Sequence, residues 1–284
     1  MRLLNIDGRL NIESHGEAID VEHASKGRFG ASFDDALHRW NEFLEWAPSA
    51  EAEQARPYAE SSLRAPVGNP RQIFAIGLNY RGHAQENDLD LPDTPMVFTK
   101  FASSIFAPFG EIEMPPGWVD WEVELVVVMG KHARHVDPDH AWDHVAGLTA
   151  GQDLSERKLQ IKPPAPQQFS LAKSYPGFAP LGPALVTPDE FADRDDLLVE
   201  CRIGQEIVQS ARTKELIFPI AELISYLSSV VTLQPGDLIF TGTPDGVGFA
   251  RTPQRFLQDG DELITTIEGI GTMKHTMRNG EGRR

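Results

Sequence analysis

The chain has 284 residues, of which 40% are hydrophobic and 24% charged, enough for one large globular domain with an appendage or for two small domains. Its 42 Asp and Glu outnumber 26 Lys and Arg, and the net charge of −16 argues against nucleic acid or an anionic membrane as partner. The single cysteine, Cys201, excludes an intrachain disulfide and fits a reducing, cytoplasmic setting.

In chain order, residues 1–30 read as short strands broken by Gly8, Gly16, Gly27 and Gly30. The opening segment turns polar too soon for a signal peptide, and no run approaches the roughly 18 to 20 apolar residues of a membrane span. Ser32 is placed to cap a helix whose buried stripe is Leu37, Trp40 and Leu44. A second, acidic helical stretch is expected over Ala50 to Glu60. Residues 61–72, with Pro66, Gly68 and Pro70, read as a linker, so a small N-terminal domain is expected over 1–65 and a larger one over 73–284.

From Ile73 onward the texture changes to short strands and Gly- or Pro-rich turns. Strands are predicted at 73–77, 120–129, 145–152, 183–187, 197–203, 238–242 and 262–268, with one clear helix from Pro219 to about Ser229. Many strands and few helices predict a β-rich α+β fold, a folded roll or barrel. Cys201, inside the 197–203 strand, is expected to be a buried structural thiol.

The most telling run is Asp120-Trp121-Glu122-Val123-Glu124-Leu125, followed by Val126-Val127-Val128-Met129. Strict alternation puts Trp121, Val123 and Leu125 in a core and three carboxylates on the opposite face, at steps of about 6.6 Å. Carboxylates so close to an apolar run need a positive partner, and a hard divalent cation with oxygen ligands supplies one. A solvated edge strand is the blander alternative. Asp153 follows the predicted 145–152 strand; taken alone it reads as the cap of a helix starting just after it, with Arg157 and Gln160 on one face.

His83 and Glu86, three apart, share a face if their segment is helical, and a carboxylate that orients an imidazole makes a general base. Lys173, after Phe169-Ser170-Leu171-Ala172, either snorkels to solvent or points into a pocket to meet an anion. The loop Thr241-Gly242-Thr243-Pro244-Asp245-Gly246-Val247-Gly248 is either an ordinary tight turn or a loop whose N–H groups approach an anion.

Five motifs, in order from about Ile73 to Gly271, together resemble the fumarylacetoacetate hydrolase superfamily. They are Gly77-Leu78-Asn79-Tyr80 with His83 and Glu86; Glu122-Val123-Glu124; Gly147 with Asp153, Arg157 and Gln160; Ala172-Lys173-Ser174 with Pro180-Leu181-Gly182-Pro183; and Pro235-Gly236-Asp237 with Thr241-Gly242-Thr243-Pro244. The resemblance implies a β-rich folded roll, a homodimer, and a Mg²⁺ or Mn²⁺ ion held by Glu122, Glu124 and Asp153. It implies that His83 and Glu86 activate water, that Lys173 stabilises developing negative charge, and that Arg157, Gln160 and Thr243 contact substrate, with Asp120 either behind the metal ligands or beside the substrate in the pocket. The implied reaction is hydrolysis of a C–C bond in an acylpyruvate-like 1,3-diketo acid. The alternative is isomerisation or decarboxylation of a related 2-oxo or 2-hydroxy-dienoic diacid, or, further off, lysis of a ureido acid. The chain departs from the eponymous hydrolase in having no carboxylate between Ile73 and Asn79, and from many relatives in carrying Pro176 where Asp is frequent.

Overall fold

Alternation and glycine-rich turns build two main sheets and a small two-stranded one. The computed structural model describes residues 1–50, 54–86, 90–164 and 166–280. The larger sheet has eleven strands, whose main path runs Glu17–Asp20, Arg9–Ser14, Arg2–Ile6, Ala179–Val186, Val145–Gln152, Val123–Met129, Leu238–Phe240, Ile73–Gly77 and Met96–Thr99. The smaller has five, in the order Glu206–Arg212, Leu198–Ile203, Glu262–Ile267, Gly271–Asn279 and Phe109–Met114. The fold is β-rich α+β, as the strand count predicts.

Val123–Met129 is the central element. It pairs antiparallel with Val145–Gln152 on one side and with Leu238–Phe240 on the other. Its odd residues Val123, Leu125, Val127 and Met129 join Trp121 in the core that also holds Val199, Cys201 and Leu263 of the five-stranded sheet. Its even residues Val126 and Val128 face a second core, with Leu238, Phe240 and the aromatic residues Trp40 and Phe43. Glu124 lies on that even face near the start of the strand, and Glu122 stands just before it.

Four expectations need correction. The 120–129 strand is broken: Val119–Asp120 pairs separately with Ser155–Glu156, and Trp121 and Glu122 lie between the two strands. Here the backbone N–H groups turn to side chains, Trp121 to Asp120 Oδ1 (2.9 Å) and Glu122 to Gln152 Oε1 (2.9 Å). Ser32 does cap a helix, accepting from Asp35 N, but the helix divides at Arg39 (φ −128°) into Phe33–His38 and Trp40–Trp46. The acidic stretch from Ala50 is not one helix over its described part: residues 51–53 lie outside the described residues, Gln54 is in a 3-10 turn, Arg56 forms an antiparallel bridge with Ala18, and a second 3-10 turn follows at Glu60–Ser62. Composition favoured a helix there, but pairing to the strand edge satisfies the backbone instead. Asp153 caps no helix. The helix is Arg157–Gln160, and Glu156 caps it, accepting from the N–H groups of Lys158 and Leu159.

Residues 1–65 contribute strands to the larger sheet, since Arg2 and Leu3 register with Val186 and Leu185. The Ile220–Val230 helix begins after Pro219 and buries Ile220, Leu223, Ile224 and Leu227. Among the described residues no helix is long and apolar enough to cross a membrane.

Candidate active site

Glu122 and Glu124 project from the start of the central strand, and Asp153 stands just past the end of its neighbour, held there by donation from its N–H to the Glu122 carbonyl (2.9 Å). The three carboxylates each offer an oxygen within 4.8 Å of the others, and all are buried. This close-set, all-oxygen group suits a hard divalent ion, which takes carboxylate ligands and keeps further positions for water or substrate. The observed donors therefore fit the metal that the sequence motifs imply.

Cations of the chain itself brace the cluster. Lys173 Nζ donates to Glu122 Oε2 (2.6 Å) and Asp153 Oδ2 (2.7 Å), which settles its direction: it points into the pocket. Lys100 Nζ, fully buried, donates to Asp153 Oδ1 (2.7 Å) and to the Lys173 carbonyl. Arg157 donates through Nη2 to Glu122 Oε1 (2.7 Å), through Nε to Asp120 Oδ2 (2.9 Å) and through Nη1 to Gln160 Oε1 (2.9 Å). Burial raises the Glu122 carboxyl, but Lys173 and Arg157 outweigh it and hold the group down to about 2. Glu124 goes the other way. Burial, then the negative charges of Asp153 and Glu122, push its carboxyl well above the ordinary range, and the donated Gly242 N–H (2.8 Å) opposes this only in part. Burial lowers the Lys100 ammonium against the pull of Asp153. On Lys173 burial acts the same way but loses to Asp153 and Glu122, and the group is raised.

His83 and Glu86 lie on the Arg81–Glu86 helix, where a spacing of three brings them together: His83 Nδ1 is 2.6 Å from Glu86 Oε1. Glu86 Oε2 accepts from Gly246 N (2.8 Å). The glycine-rich loop thus has a use that neither sequence reading foresaw. Its N–H groups serve the protein's own carboxylates: Gly242 for Glu124, Gly246 for Glu86, Gly248 and Phe249 for Asp120. Two of these glycines are required by space. A Cβ on Gly246 (φ +100°) would come within 2.1 Å of the Val208 carbonyl oxygen, and one on Gly248 within 1.9 Å of the Arg255 carbonyl oxygen.

A cavity of about 330 Å³ opens over the cluster and is lined by His83, Glu122, Glu124, Arg157, Gln160, Lys173 and Thr243 among others. Thr243 Oγ1 donates to the Val123 carbonyl (2.9 Å) and accepts from Gln209 Nε2 (2.8 Å), so its hydroxyl proton is already committed to the backbone. Asp120 is the exception among the predicted pocket residues. It is fully buried and does not line the cavity; its oxygens accept from Trp121, Gly248, Phe249 and Arg157, so it anchors the loop and the arginine. Among the described residues, none that lines the cavity comes from residues 1–65.

Sequence reasoning missed Lys100, Gln152 and Gln209. Gln152 donates to Thr265 Oγ1 (2.9 Å) and accepts from Glu122 N; Gln209 accepts from Val123 N (3.0 Å) and donates to the Pro244 carbonyl (2.8 Å). The available signal for Lys100 was a lysine ending the run Met96-Val97-Phe98-Thr99, the same awkward placement as Lys173. Cys201 is buried as expected, and burial pushes its thiol up to about 12.

The fumarylacetoacetate hydrolase C-terminal family model matches residues 72–278. The chain belongs to the fumarylacetoacetate hydrolase family. It is 44% identical over 219 residues to the mitochondrial oxaloacetate tautomerase FAHD2A of Homo sapiens, which covers 76% of this chain and 69% of that protein. A provisionally assigned HpcE protein from Mycobacterium smegmatis has a crystal structure that superposes with a TM-score of 0.94, at 50% identity, over 99% of this chain and 100% of that one. The maleylpyruvate hydrolase of Sphingobium sp. SYK-6, solved with manganese(II) ion and pyruvate, superposes at 0.77 with 28% identity, over 99% and 100% of the two chains. Relatives of this family member are enzymes that include a hydrolase and tautomerases, and its buried acidic triad can hold a metal.

Proposed function

We propose that the chain is a Mg²⁺- or Mn²⁺-dependent enzyme that moves a proton between the carbon and the oxygen of a 2-oxo acid, interconverting its keto and enol forms. The observation that carries this reading is that the His83–Glu86 pair and the Glu122–Glu124–Asp153 triad serve one cavity. Glu122, Glu124 and Asp153 would hold the ion, which supplies Lewis-acid polarisation of a keto group. Glu86 accepts the His83 Nδ1 proton and thereby leaves Nε2 with the lone pair that takes a proton from carbon and then returns it to the enolate oxygen, with the reverse transfer for ketonisation. The Gly246 N–H keeps Glu86 in place for this. Lys173 places an ammonium where negative charge grows on the substrate oxygen, and Gln160, oriented by Arg157, offers an amide to the substrate carboxylate. The likeness to oxaloacetate tautomerase supports the reaction class.

Following the ultraviolet absorbance of enol oxaloacetate with metal-stripped and metal-loaded protein tests the proposal. Metal-dependent acceleration of its decay to the keto form is expected. An unchanged rate with metal bound sinks the tautomerase reading.

A second reading, C–C hydrolysis of an acylpyruvate, is favoured by a cavity larger than a four-carbon acid needs and by the likeness to a maleylpyruvate hydrolase. Here His83 would take its proton from a water attacking the far carbonyl. Release of pyruvate, with solvent oxygen incorporated in the second acid, identifies this reaction and excludes simple tautomerisation as the whole activity.

A further inference from the structure

His83 lines the cavity and Glu86 stands behind it, so the pair is only as well placed as the support beneath Glu86. That support is the glycine-rich loop. The Arg81–Glu86 helix rests on it twice: Glu86 Oε2 accepts from Gly246 N (2.8 Å), and a Cβ on Gly82 would come within 2.4 Å of Asp245 Oδ1. Gly246 has φ +100° and no side chain with which to anchor itself, so its orientation depends on groups that grip its backbone from outside.

Two residues that do not line the cavity supply this grip. Trp121 Nε1 donates to the Gly246 carbonyl (3.2 Å). Arg251 donates to the same oxygen through Nε and Nη2, both at 3.3 Å, and its Nη2 also donates to the Val208 carbonyl (2.9 Å). The guanidinium lies over the Trp121 ring, 5.6 Å from its centroid, and faces Glu206 Oε1 at 3.6 Å. Glu206 and Val208 belong to the Glu206–Arg212 strand at the end of the five-stranded sheet. One half-buried arginine therefore ties the loop beneath Glu86 to that sheet. We propose that Arg251 is a positioning residue: through Gly246 it keeps Glu86 on His83 Nδ1, and so acts on the reaction without touching substrate. The inference rests on the proton-transfer reading above and adds a residue to its machinery.

The test is Arg251→Met, which keeps an unbranched apolar stem and removes the donors. In Mg²⁺-loaded protein, NMR hydrogen exchange at the Gly246 N–H should quicken at least tenfold, while the Gly242 N–H, which donates to Glu124, keeps its parental rate. Turnover of enol oxaloacetate should fall at least fivefold at unchanged KM and Mn²⁺ affinity. In a Glu86→Ala background the same substitution should cost less than twofold, because the group it acts through is already gone. Arg255→Met removes the other guanidinium over Trp121 (5.8 Å), one that donates to Glu206, and should leave both readouts at parental values. Arg251→Lys keeps the charge but loses the fork, and carries the same comparison if Met at this position unfolds the chain. Unchanged exchange at Gly246, or an equal fall in turnover with and without Glu86, overturns the proposal. Exchange needs no substrate, so a parent protein inert toward enol oxaloacetate defeats the reaction class alone, and the Gly246 rate still decides the grip of Arg251.

Discussion

Asp120→Asn is the substitution that tests the site's frame most sharply, because it changes almost no volume. Oδ1 accepts from Trp121 N (2.9 Å) and Gly248 N (2.7 Å), and Oδ2 from Phe249 N (2.9 Å) and Arg157 Nε (2.9 Å). Whichever oxygen becomes an NH₂ group, two buried donors then face a donor. Each lost bond leaves an unsatisfied group at about 1–3 kcal/mol, and breaking a buried ion pair on one side costs about 3–5 kcal/mol. Glu122 still faces Arg157, which limits the electrostatic part. A net loss of about 3–5 kcal/mol is therefore expected, a large share of the roughly 5–15 kcal/mol of a typical domain. The urea midpoint of metal-free protein, at unchanged slope, reads it directly. Turnover should fall as well, since the same loop carries the Gly246 N–H that holds Glu86. A loss below about 1 kcal/mol with unchanged turnover would refute Asp120 as the anchor of the loop.

Other outcomes follow from single contacts. His83→Ala should leave Mn²⁺ binding intact by calorimetry while lowering turnover by about 10²–10⁴-fold, and full activity would remove His83 from the mechanism. Glu124→Gln should weaken Mn²⁺ binding yet raise the urea midpoint of the metal-free protein, because it removes a carboxylate crowded by Asp153 and Glu122; parental Mn²⁺ affinity would show that Glu124 is not a ligand. His275, buried, points Nε2 at the Ala107 carbonyl (2.9 Å), and burial holds its imidazole down to about 4. The unfolded chain takes up that proton below about 6.5, so stability is whole above that pH and is lost as pH falls toward 4, by about 3 kcal/mol if the group acts alone. His275→Gln should flatten the loss between pH 6.5 and 4, and an unaltered pH profile would contradict this account.

The features legible in the sequence were those with a short period. Alternation placed Glu122 and Glu124 on one face against Val123 and Leu125, and a spacing of three joined His83 to Glu86. Asp120 was misplaced because alternation assumes an unbroken strand, whereas the backbone turns away at Trp121 and Glu122 to reach side-chain oxygens. The Phe33–Trp46 segment kept its cap and buries Leu37 and Trp40, with Phe43 covered more fully than the expected Leu44, but nothing in a helical pattern announces the break at Arg39. Lys100, Gln152 and Gln209 escaped because each acts on a residue distant in the chain; Gln209 and Val123 are 86 positions apart. No local window contains both partners of such a contact. The Glu206–Arg212 strand that carries Gln209 was not foreseen either, nor were Phe109–Met114 and Gly271–Asn279.

The long separations also set the order in which the site can be assembled as the chain is made. Lys173 meets Glu122 across 51 positions and Lys100 meets Asp153 across 53, while the Gly242 N–H reaches Glu124 across 118. Contacts between distant segments form slowly, since the loops they close are costly. A nascent chain therefore gains its two ammonium clamps well before Leu238–Phe240 arrives to cover the other edge of the central strand. During that interval Glu122 and Asp153 already have their lysine partners, while Glu124 still waits for Gly242 and the Val126–Val128 edge stays open to a chaperone or to a neighbouring chain.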